Sequence, residues 1–182
     1  MARSDFDRFV QRKMAEAVDV TAFDSQRQLE EWRRYLVELY KKVSDFLNPY
    51  TQDESAQIEF RDIELNEDFS GPYTVQQMFI HIGNSTITLR PIGTMLIGSK
   101  GRVDVQGPRG TARLVLVNKY VSNARQLVQV KVLDPNSSSP PPEPKPDSIE
   151  WAWKIATPPP EMTFTDLTKN SFFDLILSVA DA

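Results

Sequence analysis

The sequence predicts an α+β fold: a helical hairpin over residues 1–50, then an antiparallel β-domain over 55–182, a curved sheet or open β-barrel with a short C-terminal helix. Three observations predict it. Apolar residues recur three and four apart as far as Phe46, then two apart from Gln57 onward. The strand-like runs are short and divided by Gly and Pro turns. Between them there is no room for the crossover helices that parallel pairing needs.

The first helix is expected from Ser4, whose hydroxyl suits an N-cap ahead of Asp5 and Asp7, with Phe6, Val10, Met14 and Ala17 at helical spacing. The second is placed after Asp24. Its seam of Leu29, Trp32, Leu36, Leu39, Val43 and Phe46 is as narrow as the stripe of a helix packed on another helix. Asn48-Pro49 is expected to stop it, because the residue before proline avoids the α region.

In the first strand, Ile58 and Phe60 differ in parity from Ile63 and Leu65, which predicts a bulge or break near Arg61-Asp62. Strands follow over 73–82 and 86–97, the second interrupted by Pro91 and Gly93. A short strand from Arg102 to Gln106 lies between two glycine turns, and Thr111 to Asn118 is apolar on both faces, as in a covered central strand. Val128, Val130 and Val132 read as a one-sided strand, and 134–148 as a Ser/Pro loop of polyproline character. Ile149, Trp151, Trp153 and Ile155 alternate as a half-buried strand. Ser171 and Asp174 open a last helix through Phe172, Phe173, Ile176 and Val179, with a strand as the competing reading of Leu175 to Leu177.

Composition narrows the function. With 40% hydrophobic residues among 182, the chain can bury a core. It has no cysteine, which excludes disulfides, thiolate metal sites and a cysteine nucleophile. The start, Met-Ala-Arg-Ser-Asp-Phe-Asp, has no apolar leader, and no run of apolar residues is long enough to span a bilayer. A cytoplasmic protein without membrane contact is expected. The net charge of −4 is unevenly spread. Residues 83–133 carry eight basic side chains and one acidic, Asp104, between two acidic flanks.

No constellation forms a recognisable catalytic centre. His81 is the one histidine, and no Gly-x-Ser-x-Gly elbow accompanies it. One histidine and no cysteine make a zinc site improbable. Asp62, Glu64, Asn66 and Asp68 share a parity, but without EF-hand spacing they read as a solvated face or a counter-charge to the basic block. No cofactor is called for. Gly98-Ser99-Lys100-Gly101 lacks the P-loop pattern. A meander would place Lys100 at one sheet end with Lys119 and Arg125, and Arg109 at the other. The pI of about 5.1 and the core parity that Trp151 and Trp153 share with Ile149 and Ile155 argue against nucleic-acid binding.

Two functions follow from different classes. The first is a non-enzymatic interaction or regulatory module whose contact is the Leu29 to Phe46 seam, as a homodimer or with another protein. The same seam could equally serve to pack the hairpin on the sheet. The alternative is a sheet pocket for a small anionic or amphipathic ligand, with Arg90, Lys100, Arg102, Lys119 and Arg125 as anion contacts and His81 as a conceivable acid–base.

Overall fold

The computed structural model describes residues 2–68, 70–94, 98–127 and 149–180. A single helix, α1 (Ala2–Gln52), replaces the expected hairpin. The reason is legible in the composition: the first proline is Pro49 and the first glycine Gly71, so nothing near Asp24 favours a turn. At 1.5 Å per residue its 51 residues reach roughly 76 Å. Pro49 does not stop it. In the last turn a proline forfeits only one backbone bond, and its fixed φ is already helical. Termination comes at Glu54, with φ of 62°, while the Asp53 carboxylate accepts from the Ser55 amide at 3.0 Å.

Seven strands then form one antiparallel sheet in chain order: β1 (Ala56–Glu67), β2 (Gly71–Ile82), β3 (Ser85–Gly93), β4 (Ser99–Gln106), β5 (Thr111–Asn118), β6 (Trp151–Ala156) and β7 (Phe164–Asp166). The sheet is open, with β1 and β7 as its edges. α2 (Lys169–Ala180) closes the chain. The strand expected over Val128 to Val132 and the Pro tract at 134–148 lie outside the described residues.

The expected bulge near Arg61-Asp62 is absent: β1 and β2 pair one to one from Ala56↔Ile82 to Glu67↔Gly71. Val75 and Met78 are nevertheless both buried, three residues apart, so the hairpin turns its face over between them. Beyond the turnover it runs along α1, where the Tyr40 hydroxyl donates to the Gln76 carbonyl at 2.6 Å and the Arg33 guanidinium to that of Thr74 at 3.2 Å. Bulges do occur at Pro91/Gly93 and at Ser99/Gly101.

Both helices cover the same sheet face. Trp32, Leu36, Leu39, Val43 and Leu47 of α1 join Phe172, Leu175, Ile176 and Val179 of α2 over Ile80, Ile87, Leu89, Val103, Val105, Leu114 and Leu116. Trp32 meets Trp153 at 6.1 Å between ring centroids, and Phe46 meets Phe172 at 5.8 Å. β5 is covered on both sides as expected: its other face, Val115 and Val117, packs with Ala156, Phe164 and the segment around Val121 and Leu127. The last helix begins one turn before its expected cap, because Thr168 and Ser171 cap reciprocally, the Ser171 amide donating to Thr168 Oγ1 and the Thr168 amide to Ser171 Oγ.

Candidate functional site

The seam expected as a contact surface, Leu29, Trp32, Leu36, Leu39, Val43 and Phe46, lies against the chain's own sheet. Leu29 and Phe46 are partly covered, and the other four are buried. α1 is amphipathic here because it is one layer of a two-layer fold.

Further towards the N-terminus the helix changes character. All the described side chains of 2–23, namely Phe6, Arg8, Val10, Gln11, Arg12 and Lys13, are exposed, Phe6 to 63%. Successive helix residues are 100° apart, so Val10 to Lys13 sample every side of the helix. Beyond Asp24, Ser25 and Gln28 of α1 border Ser70 and Thr94.

The six predicted anion and acid–base residues divide between two places. Lys100, Lys119 and Arg125 lie toward the sheet end expected for them. There a cleft of about 440 Å³ opens between α1 and the sheet, lined by Arg27, Glu31, Tyr35, Ser99, Lys100 and Trp151. Its lysine is already answered: Lys100 Nζ lies 2.7 Å from Glu31 and 4.9 Å above the Trp151 ring. Lys119 pairs with Glu150 at 2.8 Å, which raises the lysine's pKa and lowers the glutamate's. Arg125 belongs to a 3₁₀ turn over 124–126. Acidic flank residues therefore neutralise the basic block here, although not those expected. Asp62 and Glu64 lie along an extended strand, where same-face neighbours are ~6.6 Å apart and do not converge on one ion.

His81, Arg90 and Arg102 lie on the sheet face turned away from the helices. The register fixes this, since each alternates with buried residues of the core: His81 with Ile80, Arg90 with Leu89, Arg102 with Val103. His81 Nε2 is 3.4 Å from Glu59 and Nδ1 3.0 Å from Thr86 Oγ1. A carboxylate only accepts, so Nε2 is the nitrogen that donates to Glu59. Arg61 donates twice to the same Glu59, at 2.6 and 3.1 Å, and this is the main cause holding the glutamate below the usual carboxylate range. Arg61 also caps Phe79 at 4.6 Å.

The most concentrated charge on this face is one row further in. Arg90 of β3 is the register partner of Asp104 in β4, and Asp104 that of Arg113 in β5. Arg102, two residues along, grips Asp104 with both prongs, Nε to Oδ1 at 2.6 Å and Nη2 to Oδ2 at 2.8 Å. Asp104 is only 8% exposed although it faces outward, so the surrounding side chains cover it. Neighbouring strands are about 4.8 Å apart, which puts the Arg90 and Arg113 backbones roughly 10 Å apart across the carboxylate. Three arginines thus share this part of the face with one carboxylate, and Arg102 is the one that grips it. Arg113 was missed in the sequence because its proximity to Asp104 depends on strand register. Its alternation with Leu114 was the available signal.

Among the described residues no group of three His, Cys, Asp or Glu side chains could hold a metal, and no helix is long and apolar enough to cross a membrane. Compared with known proteins, the chain matches no family model, no curated protein and no solved structure.

Proposed function

We propose that the protein is a non-enzymatic, cytoplasmic interaction module whose contact element is the N-terminal stretch of α1, residues 2–24, and whose partner there is a second copy of the chain. The observation that carries this is the exposure of the described side chains before Asp24, Phe6 and Val10 included, on a helix that later becomes a layer of the core. This stretch continues a helix whose later turns are anchored on the sheet, and packing against a partner would add to its stability.

Charge favours a copy over other partners, and an antiparallel arrangement. Residues 2–13 hold four basic and two acidic side chains, whereas 14–24 hold three acidic and none basic. An antiparallel pair sets the positive half of each arm against the negative half of the other. A parallel pair sets like on like. The halves span ~17 Å, more than a Debye length at physiological salt, so each half acts through its own charge. Antiparallel pairing also leaves the two sheet domains at opposite ends of the shared helices, clear of each other.

Sedimentation velocity on the full chain tests the reading. A monomer–dimer equilibrium is expected, shifted to monomer by Phe6→Asp with Val10→Asp while the far-ultraviolet spectrum stays folded. The absence of cysteine makes orientation measurable with a nitroxide on Gln26→Cys, an exposed position. Antiparallel arms centred near Lys13 separate the two labels by roughly 40 Å along the axis, whereas parallel arms bring them to about 10 Å. A wild-type chain that stays monomeric at all concentrations overturns the proposed partner, and a short label distance overturns the orientation.

A further inference from the structure

We propose that the outer face of β3, β4 and β5 binds a small phosphate-bearing molecule between Arg90 and Arg113, with the Arg102–Asp104 pair as its floor. This proposal is independent of the helical contact, from which it differs in face, element and ligand.

The argument begins with charge. Arg90, Arg102 and Arg113 bring three positive charges to a patch whose one carboxylate is Asp104, leaving an excess of two. A phosphate monoester carries about −1.5 to −2 at pH 7, which matches that excess. A single carboxylate would leave half of it unanswered. Glu59 of β1 and Asp166 of β7, on the same face, are each three strands from Asp104 and already engaged, Glu59 by Arg61 and His81 and Asp166 by Lys154.

Geometry makes the patch a receptor as well as an excess of charge. Both Asp104 oxygens are taken by Arg102, so the carboxylate holds that guanidinium fixed. The Arg102 side chain is 23% exposed, and its position needs little reorganisation on binding. Arg90 and Arg113 make no ion pair among the described residues and sit on the strands to either side of this floor. Their side chains are long enough to converge on a group placed above it, and the planar guanidinium fork fits phosphate oxygens two at a time. The adjacent row adds neutral donors, since Thr88, Gln106 and Thr111 are successive register partners across the same three strands. Backbone amides within the sheet are committed to pairing, so recognition here falls to side chains.

Pyrophosphate is the probe, titrated calorimetrically into the full chain at fixed ionic strength and followed by amide chemical shifts. Binding with shifts confined to 86–90, 102–106 and 111–113 is expected. Arg90→Gln and Arg113→Gln should each weaken it at least tenfold, the worth of a hydrogen bond between charged groups. A parallel titration with phosphatidylcholine vesicles carrying phosphatidic acid separates a soluble phosphate from a lipid headgroup. Equal pyrophosphate affinity in the wild type and the Arg90→Gln/Arg113→Gln double variant overturns the site. So do shifts scattered over unrelated lysines.

Discussion

Gly101→Ala is expected to be among the most damaging single-methyl additions in the protein, because α1 crosses β4 where only a hydrogen fits. A Cβ at Gly101 would lie 2.1 Å from Cζ3 and 2.6 Å from Cε3 of Trp32. Neither partner is free to retreat. Trp32 is 1% exposed and packed on Trp153, while Gly101 is paired to Leu116 in the middle of the sheet. The helix is also tied to the sheet next to this crossing, where Trp153 Nε1 donates to the Tyr35 carbonyl at 3.0 Å. Overpacking of a tight core costs ~1–3 kcal/mol, and complete expulsion of a buried indole ~3–5 kcal/mol. Against this stands a gain of about 0.4–1 kcal/mol from the stiffer unfolded chain. The net expectation is ~2–3 kcal/mol of destabilisation, or a melting temperature roughly 4–12 °C lower for a chain of this size. The decisive assay is a double-mutant cycle with Trp32→Leu, read by urea unfolding in far-ultraviolet circular dichroism at one protein concentration. With the ring gone, the added methyl should cost nothing or stabilise slightly. Additive effects, or a Gly101→Ala midpoint equal to wild type, would refute the steric argument.

Tyr40 gives a pH prediction. Burial of its hydroxyl pushes its pKa well above the usual 10.0, and Tyr73, beside Glu67, is shifted the same way. Folded-state values above the unfolded ones stabilise the protein below pH ~10, and this contribution is lost as pH rises from there toward the folded values. Urea midpoints should therefore fall on the alkaline side. Tyr40→Phe should cost about 1 kcal/mol at neutral pH through the lost bond to Gln76 and make the alkaline fall shallower. An unchanged alkaline slope would remove Tyr40 as its cause. Lys154 is nearly buried and holds both Asp166 and the Val121 carbonyl at 3.0 Å. Lys154→Ala should cost ~2 kcal/mol and speed amide exchange over 121–127, with Lys154→Met recovering part of the stability but not the exchange protection. Thr168→Ala should cost about 1 kcal/mol by unmaking the cap of α2, measured by chemical denaturation.

The architecture was legible where a local signal existed. Period two after Gln57, turn residues at regular intervals and no room for crossovers led to an antiparallel meander, and seven strands in chain order are what forms. The parity shared by Trp151, Trp153 and Ile155 placed all three against the core. The helical hairpin was misread because a change of apolar face near residue 24 looks like a break. The missing glycine and proline carried more weight. The bulge in β1 was misread for a related reason. A parity change in one strand has two causes, an extra residue or a turnover shared with its partner, and only the pairing with β2 separates them.

The candidate sites depended on contacts between residues distant in sequence. Arg90 and Arg102 were recognisable as cations in a basic block, but their place beside Asp104 and Arg113 depends on registers that pattern alone does not supply. Lys100 looked equally available until Glu31, 69 residues away, proved to be its partner. The Leu29 to Phe46 seam showed that α1 must pack on something, and only the tertiary structure assigned that role to the chain's own sheet. By itself the sequence determined the element types, the antiparallel topology and the apolar faces, because these follow from the spacing of residues along the backbone. Which acid answers Lys100, what covers the Leu29 to Phe46 seam and where Trp32 demands a glycine were decided in three dimensions, because charge pairing and close packing depend on distances that chain order does not encode.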